Sequence, residues 1–114
     1  MIWCVEELLL VAQVLGDVAA EVADCLRDAG EPGLAGSVPR LRFYGRCTCG
    51  DCFCQGFYTA PRPAGAYGPG HRNVCLSPTA GMLILDVVDN RIMFVEVLYR
   101  PDVEERLQQM PSVA

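Results

Sequence analysis

The sequence predicts an α+β fold: a long N-terminal helix packed on an antiparallel sheet of about five strands, with a short C-terminal helix. Three observations carry this prediction. Apolar residues recur at three- and four-residue steps through residues 4–29, the repeat of an amphipathic helix. Two apolar segments of strand length, 82–88 and 91–98, flank Asp89-Asn90, a pair suited to a tight hairpin turn. Between them, residues 43–58 read almost the same from either end about Gly50-Asp51, which predicts a second hairpin. A composition of 52% hydrophobic and 20% charged residues suits one folded domain over residues 1–114 rather than a disordered chain.

In the helix over 4–29, Val5, Leu8, Leu9, Ala12, Leu15, Ala19, Val22 and Leu26 form the apolar stripe. Leu10, Val11, Val14 and Val18 widen it beyond what one contact requires. Asp17, Glu21, Asp24 and Asp28 line the opposite side, either as a solvated face or as a contact for a protein partner. Gly30 and Pro32 are expected to end the helix, and residues 33–38 to form a linker.

The second hairpin is expected over 40–60, with strands near 40–49 and 52–60. Folding at Gly50-Asp51 sets Cys49 against Cys52, Cys47 against Cys54, Gly45 against Gly56 and Phe43 against Tyr58. Strand side chains alternate, so all four cysteines fall on one face with Leu41 and Ala60. The other face carries Arg40, Arg42, Tyr44 and Arg46 with Phe53, Gln55 and Phe57. Cationic and aromatic side chains on one surface suit a nucleic acid strand or another anion.

The Pro/Gly-rich stretch 61–72 is expected to be an irregular loop, followed by a short strand at Asn73–Ser77. The hairpin over 82–98 is apolar on both faces, so it should lie centrally with cover on both sides or be buried in a homodimer. In its simplest register Leu83 opposes Glu96 and Asp86 opposes Met93. Asp86 and Glu96 then point to opposite faces, which excludes a shared acid/base role, and Asp86 lies diagonal to Arg91 as an ion-pair partner. Pro101 opens a helix over 102–109.

The chemistry is concentrated in thiols. Zinc takes four ligands in a tetrahedron and favours cysteine sulfur and histidine nitrogen. Cys47, Cys49, Cys52, Cys54, His71 and Cys75 are the candidate ligands. They make two sets: the four hairpin cysteines, or Cys49 and Cys52 joined to His71 and Cys75 across the Pro/Gly loop. The second is preferred, because it also explains an ordered long loop. The competing account is packing, since free cysteine behaves as a small hydrophobe and here alternates in phase with apolar residues. Cys4 and Cys25 are expected in the helix core.

Enzyme readings are the weaker ones: His71 and Cys75 leave a Cys/His nucleophile pair open, but four residues of extended or irregular chain supply neither its geometry nor an orienting third group. Cys49-x-x-Cys52 sits in a turn between strands, not at a helix start where a redox thiol is activated. His71-Arg72-Asn73 lacks the glutamate of a zinc deaminase. The N-terminal residues carry no positive leader, the run Leu8–Ala12 is too short for a signal core, and acids interrupt the most apolar segment, so neither export nor a membrane span is expected. Cysteines in a reducing compartment serve as ligands, reactive thiols or core more often than as disulfides. Net charge is −5, but residues 39–75 carry five arginines against one aspartate, so the basic centre lies between acidic flanks. That balance disfavours general nucleic-acid binding while leaving a local anion site open.

The expectation is a small cytoplasmic interaction or regulatory protein, bacterial in style and without catalysis, holding a structural zinc or a cysteine-rich core. An immunity-type or adaptor role fits it. The alternatives are a thiol-based redox or metal sensor and a zinc-ribbon-like anion or nucleic-acid binder using Arg40, Arg42 and Arg46.

Overall fold

The computed structural model describes residues 8–110. The chain runs through helices α1 (Val11–Val14), α2 (Gly16–Asp28) and α3 (Pro32–Ser37), and then a 3-10 turn at Val38–Arg40. Strands β1 (Gly45–Arg46), β2 (Phe57–Tyr58), β3 (His71–Leu76), β4 (Met82–Val88) and β5 (Arg91–Leu98) follow, and helix α4 (Pro101–Gln108) comes last. The five strands form one antiparallel sheet in the order β1-β2-β5-β4-β3. The α+β class and strand number are those the sequence predicts.

The β4–β5 hairpin has the predicted limits. Asp89 and Asn90 both adopt positive φ, 49° and 63°, as a two-residue turn between right-twisted strands requires. Its register differs from the simple one. A bulge sets Asp86 against Phe94 but Val87 against Ile92, leaving Met93 as the extra residue. Thr59, itself buried, holds this irregularity: its hydroxyl donates to the Ile92 carbonyl at 2.6 Å and its N–H to the Met93 carbonyl at 3.0 Å. Beyond the bulge every pairing is displaced by one residue, so Ile84 rather than Leu83 opposes Glu96. Asp86 and Glu96 therefore share a face, contrary to the expectation. Asp86 accepts from Asn73 Nδ2 and meets His71 Nε2, each at 2.7 Å, and these take the place of the expected Arg91 pair.

One sheet face carries the core. Phe57, Leu83, Leu85, Val87, Val95 and Val97 are essentially inaccessible there and pack against Leu15, Val18, Val22 and Leu26. The predicted single long helix is divided. Leu15 leaves helical geometry, at φ −137° and ψ 56°, and Gly16 starts α2. Glycine in a helix interior forfeits about 1 kcal/mol relative to alanine, and the fully buried Leu15 makes the break a packed corner. Residues 4–7 of that predicted helix, Cys4 included, lie outside the described residues. Gly30 ends α2 as expected, with φ 78° and Glu31 N–H donating to Leu26 O, Gly30 N–H to Arg27 O. Pro32 does not act as a stop; it starts α3, where its missing N–H costs no helical bond. The expected linker is thus helical, and it supplies Leu34, Ala35 and Val38 to the core.

The expected inward and outward faces of the cysteine hairpin are exchanged on its second strand. Phe57 is fully buried and pairs with Val95 on the core side, with Gln55 and Thr59 buried in phase with it. Tyr58 lies on the opposite face, edge-on to Phe94 at 4.6 Å between ring centroids. Among the described residues, no helix is long and apolar enough to cross a membrane.

Strand β2 approaches β5 closely at Gly56. A Cβ built there would lie 2.6 Å from Phe94 Cζ and 3.2 Å from Val95 O, and the Phe94 ring is buried. Gly56→Ala is expected to destabilise the fold by about 1–3 kcal/mol through overpacking, read from the urea midpoint.

Candidate metal centre

The cysteine hairpin is held by a short ladder whose register is set from outside. Gly45 pairs with Tyr58 and Arg46 with Phe57, two residues away from the mirror register. Strand β5 imposes the shift. Phe57 faces Val95, Cys54 bridges to Leu98, Gln55 N–H donates to Val97 O at 2.7 Å and Tyr99 N–H to Phe53 O at 2.9 Å. Pairing four residues with a central strand outweighs the local symmetry of a two-residue ladder.

The turn consequently moves from Gly50-Asp51 to Cys52-Phe53, closed by Cys54 N–H donating to Asp51 O at 3.1 Å. A shift of two preserves side-chain direction, so Cys47, Cys49 and Cys54 stay on one side. Their sulfurs all lie within 4.8 Å of one another. Cys54 is buried, Cys47 half-buried and Cys49 exposed. The three are positioned to bind a metal ion.

The thiols are not equivalent. Cys49 is pulled below the ordinary thiol range, chiefly by the Asp51 N–H and then by the Cys47 and Cys54 thiols, which stabilise its thiolate. Burial pushes Cys54 up to about 12. The neutral Cys54 thiol therefore contributes stability below an unfolded-state pKa of about 9, and this is lost as pH rises towards about 12. A bound cation would have to displace that proton, so metal affinity should fall with pH.

Around the sulfurs stands a charged frame. Arg46 donates both guanidinium nitrogens to Glu104 at 2.7 Å, and Gln108 Nε2 supports the same carboxylate at 3.1 Å. The Glu104 pair raises the Arg46 pKa, and the nearby Cys54 and Cys47 sulfurs raise it further. Gln55, 2% exposed, donates to Cys52 O at 3.2 Å and accepts from Arg100 N–H at 2.8 Å, tying the turn to the start of α4. Gln55 is absent from the predicted site because it was placed on an outward face. The available signal is its phase with Phe57, the large apolar residue that belongs inside.

Two clefts meet at the cluster. One, of about 550 Å3, includes Cys47, Cys49 and Cys54 with Tyr58, Asp86 and Glu96. The other, of about 480 Å3, includes the same three cysteines with Arg46, Cys52 and Glu104. Cys52 is exposed in the turn and outside the group of three. The preferred set of Cys49, Cys52, His71 and Cys75 is not assembled. His71 and Cys75 lie on β3, the far edge of the sheet, three strand spacings or about 14 Å from β2. His71 is engaged by Asp86 there, and Cys75 is exposed opposite Ile84. Cys25 is half-buried against the core as expected, its thiol 3.8 Å from Ser77 O.

The predicted contact residues are dispersed. Asp17 pairs with Arg106, Glu21 with Arg100 at 2.7 Å and Asp24 with Arg27 at 2.9 Å, while Asp28 is exposed. Arg46 is drawn to Glu104, whereas Arg40 and Arg42 lie before β1 at the other end of the ladder. Compared with known proteins, the chain matches no family model, and neither a curated protein nor a solved structure shows significant similarity.

Two outcomes are expected. Under limiting iodoacetamide, followed by peptide mass spectrometry from pH 6 to 9, Cys49 reacts at lower pH than Cys54, and Cys54 stays unlabelled until denaturation. Gln55→Ala, which strands the Cys52 carbonyl and the Arg100 N–H, costs about 2 kcal/mol in chemical denaturation.

Proposed function

We propose that the protein is a small, non-catalytic interaction or regulatory protein whose hairpin tip is clamped by a thiolate-bound metal ion, zinc being the best match. The observation that carries this reading is the convergence of the Cys47, Cys49 and Cys54 sulfurs within 4.8 Å. Three thiolates suit a soft or borderline cation better than magnesium or calcium, which require oxygen. Zinc at a structural site takes a fourth ligand. Cys52, in the turn and on the cleft shared with the other three, is the thiol available to supply it.

A metal here would join residues on both sides of a turn whose own ladder is only two residues per strand. It would also fix Phe53, which stacks on Tyr99 at 5.4 Å while both rings remain exposed. That pair is the contact surface we favour for a protein partner in a cytoplasmic setting. The acidic stripe is a weaker candidate because Arg106 and Arg100 already occupy Asp17 and Glu21.

A second reading, a thiol-based metal sensor, is favoured by one feature: Cys49 is both exposed and thiolate-prone. Its ligand set would open under mild oxidant.

Elemental analysis and thiol titration on protein purified without chelator test the first reading. About one zinc per chain is expected, with three or four thiols released only by a chelator. Cys47→Ser, Cys49→Ser or Cys54→Ser should abolish retention, while Cys75→Ser and His71→Ala should leave it unchanged. Absence of metal after reconstitution, or loss in the His71 variant, rejects the site. Release of zinc by micromolar hydrogen peroxide selects the sensor.

A further inference from the structure

The nine arginines divide cleanly by partner. Arg27, Arg46, Arg72, Arg100 and Arg106 each meet a carboxylate. Arg62 donates to Thr48 Oγ1 at 2.9 Å and lies over the Tyr58 ring. The remaining three, Arg40, Arg42 and Arg91, meet no carboxylate among the described residues, and all three line one cleft of about 350 Å3. Among the described residues its lining contains no acidic side chain. In a chain of net charge −5, such a convergence requires an explanation.

The elements that build it are fixed. Arg40 ends the 3-10 turn and Arg42 precedes β1, while Arg91 opens β5 beside the β4–β5 turn. Arg42 spends one nitrogen on Leu8 O at 2.9 Å, and Arg40 one on Gly36 O at 3.3 Å. Each retains further N–H donors, since a guanidinium carries five. Among the described residues no side-chain hydrogen bond engages Arg91. Bringing three like charges together is unfavourable unless an anion neutralises them. Tyr44 and Ile92 add apolar walls, and Asn90 further hydrogen-bonding capacity.

We infer that this cleft binds the phosphoryl group of a small organic phosphate. Planar guanidinium forks match phosphate oxygens with paired, charge-assisted bonds. The volume lies in the range of small-molecule pockets and exceeds what a bare phosphate fills, leaving the Tyr44 and Ile92 walls for an organic group. Arg46, the third member of the basic strand face that the sequence suggests, is taken by Glu104, so that extended face does not form and a nucleic acid strand is the poorer fit. The site is separate from the cysteine cluster and does not depend on metal there.

The test is titration of the full chain at low ionic strength with phenyl phosphate, inorganic phosphate and a single-stranded oligonucleotide, followed by amide chemical shifts. Saturable binding of phenyl phosphate with shifts centred on residues 40–44 and 90–92 is expected, tighter than inorganic phosphate. Arg91→Gln, on an exposed position without structural bonds, should weaken it at least about tenfold. Arg62→Gln, which removes the same charge elsewhere, should leave it unchanged. The inference is overturned by absence of saturable binding, by equal loss in both variants, or by tighter binding of inorganic phosphate. Preferential binding of the oligonucleotide with a steep salt dependence also overturns it, because the ligand would then be a nucleic acid backbone.

Discussion

Strand β5 is the constraint on which the rest of the molecule depends. It pairs with β4 along its length and with β2 on its other side, and its last residues receive Cys54 and Gln55. Its core-side residues Ile92, Val95 and Val97 are almost wholly excluded from water, and its other face carries Phe94, Glu96 and Leu98. Inserting Met93 as a bulge permits both. Without it, one set of alternating side chains would have to change faces partway along the strand. The bulge also decides the chemistry of the outer face, because it puts Asp86 and Glu96 on the side that carries Cys54 and Tyr58.

What was legible in the sequence follows from how local its causes are. The register of the β4–β5 hairpin was not readable, because the Met93 bulge is held by Thr59 from outside the hairpin. Its limits were readable to the residue, because a left-handed turn pair and two apolar strands act within seventeen residues. The stop at Gly30 and the start of α4 at Pro101 were readable for the same reason. The break at Leu15-Gly16 was hidden because apolar periodicity continues across a kink that only tertiary packing stabilises. The mirror about Gly50-Asp51 misled in register but not in direction. A two-residue slip preserves the face, so Cys47, Cys49 and Cys54 remained recognisable as neighbours while Cys52 left the group. His71 and Cys75 could not be placed from the sequence, since their position depends on strand order, which nothing local determines.

Charge pairing has a division of labour. Helix α4 faces α2 through Arg106–Asp17 and, from the residue before the helix, Arg100–Glu21, and it reaches the hairpin through Glu104–Arg46. The first of these is exposed and the other two are partly buried, and ion pairs that keep this much access to solvent contribute modestly to stability. Their effect is orientation: α4 buries only Val103 and Leu107, so three pairs on different elements select one docking angle for a short helix. Two residues of the acidic stripe of α2, Asp17 and Glu21, are thus engaged internally, while Asp24 pairs within its own helix and Asp28 is exposed. Among the described residues, Arg40, Arg42, Arg62 and Arg91 are the arginines that meet no carboxylate, and of these Arg62 is held by Thr48 and the Tyr58 ring.

The cysteine cluster differs in kind from core thiols. A packed core cysteine has apolar neighbours and one protonation state, as Cys25 does, whose pKa burial and adjacent acids raise. In the hairpin, one sulfur is pushed towards the thiol by burial while another within 4.8 Å is drawn towards the thiolate by a backbone N–H. Apolar packing has no use for that opposition, and it places an exposed, polarisable group where a hydrophobe would have served. A cation shared among the sulfurs would resolve it, replacing protons that the environment holds unequally with one charge that all three sulfurs could stabilise. The geometry of the turn supports the same conclusion, since residues 47–54 have few backbone bonds of their own and gain most from a clamp across their base.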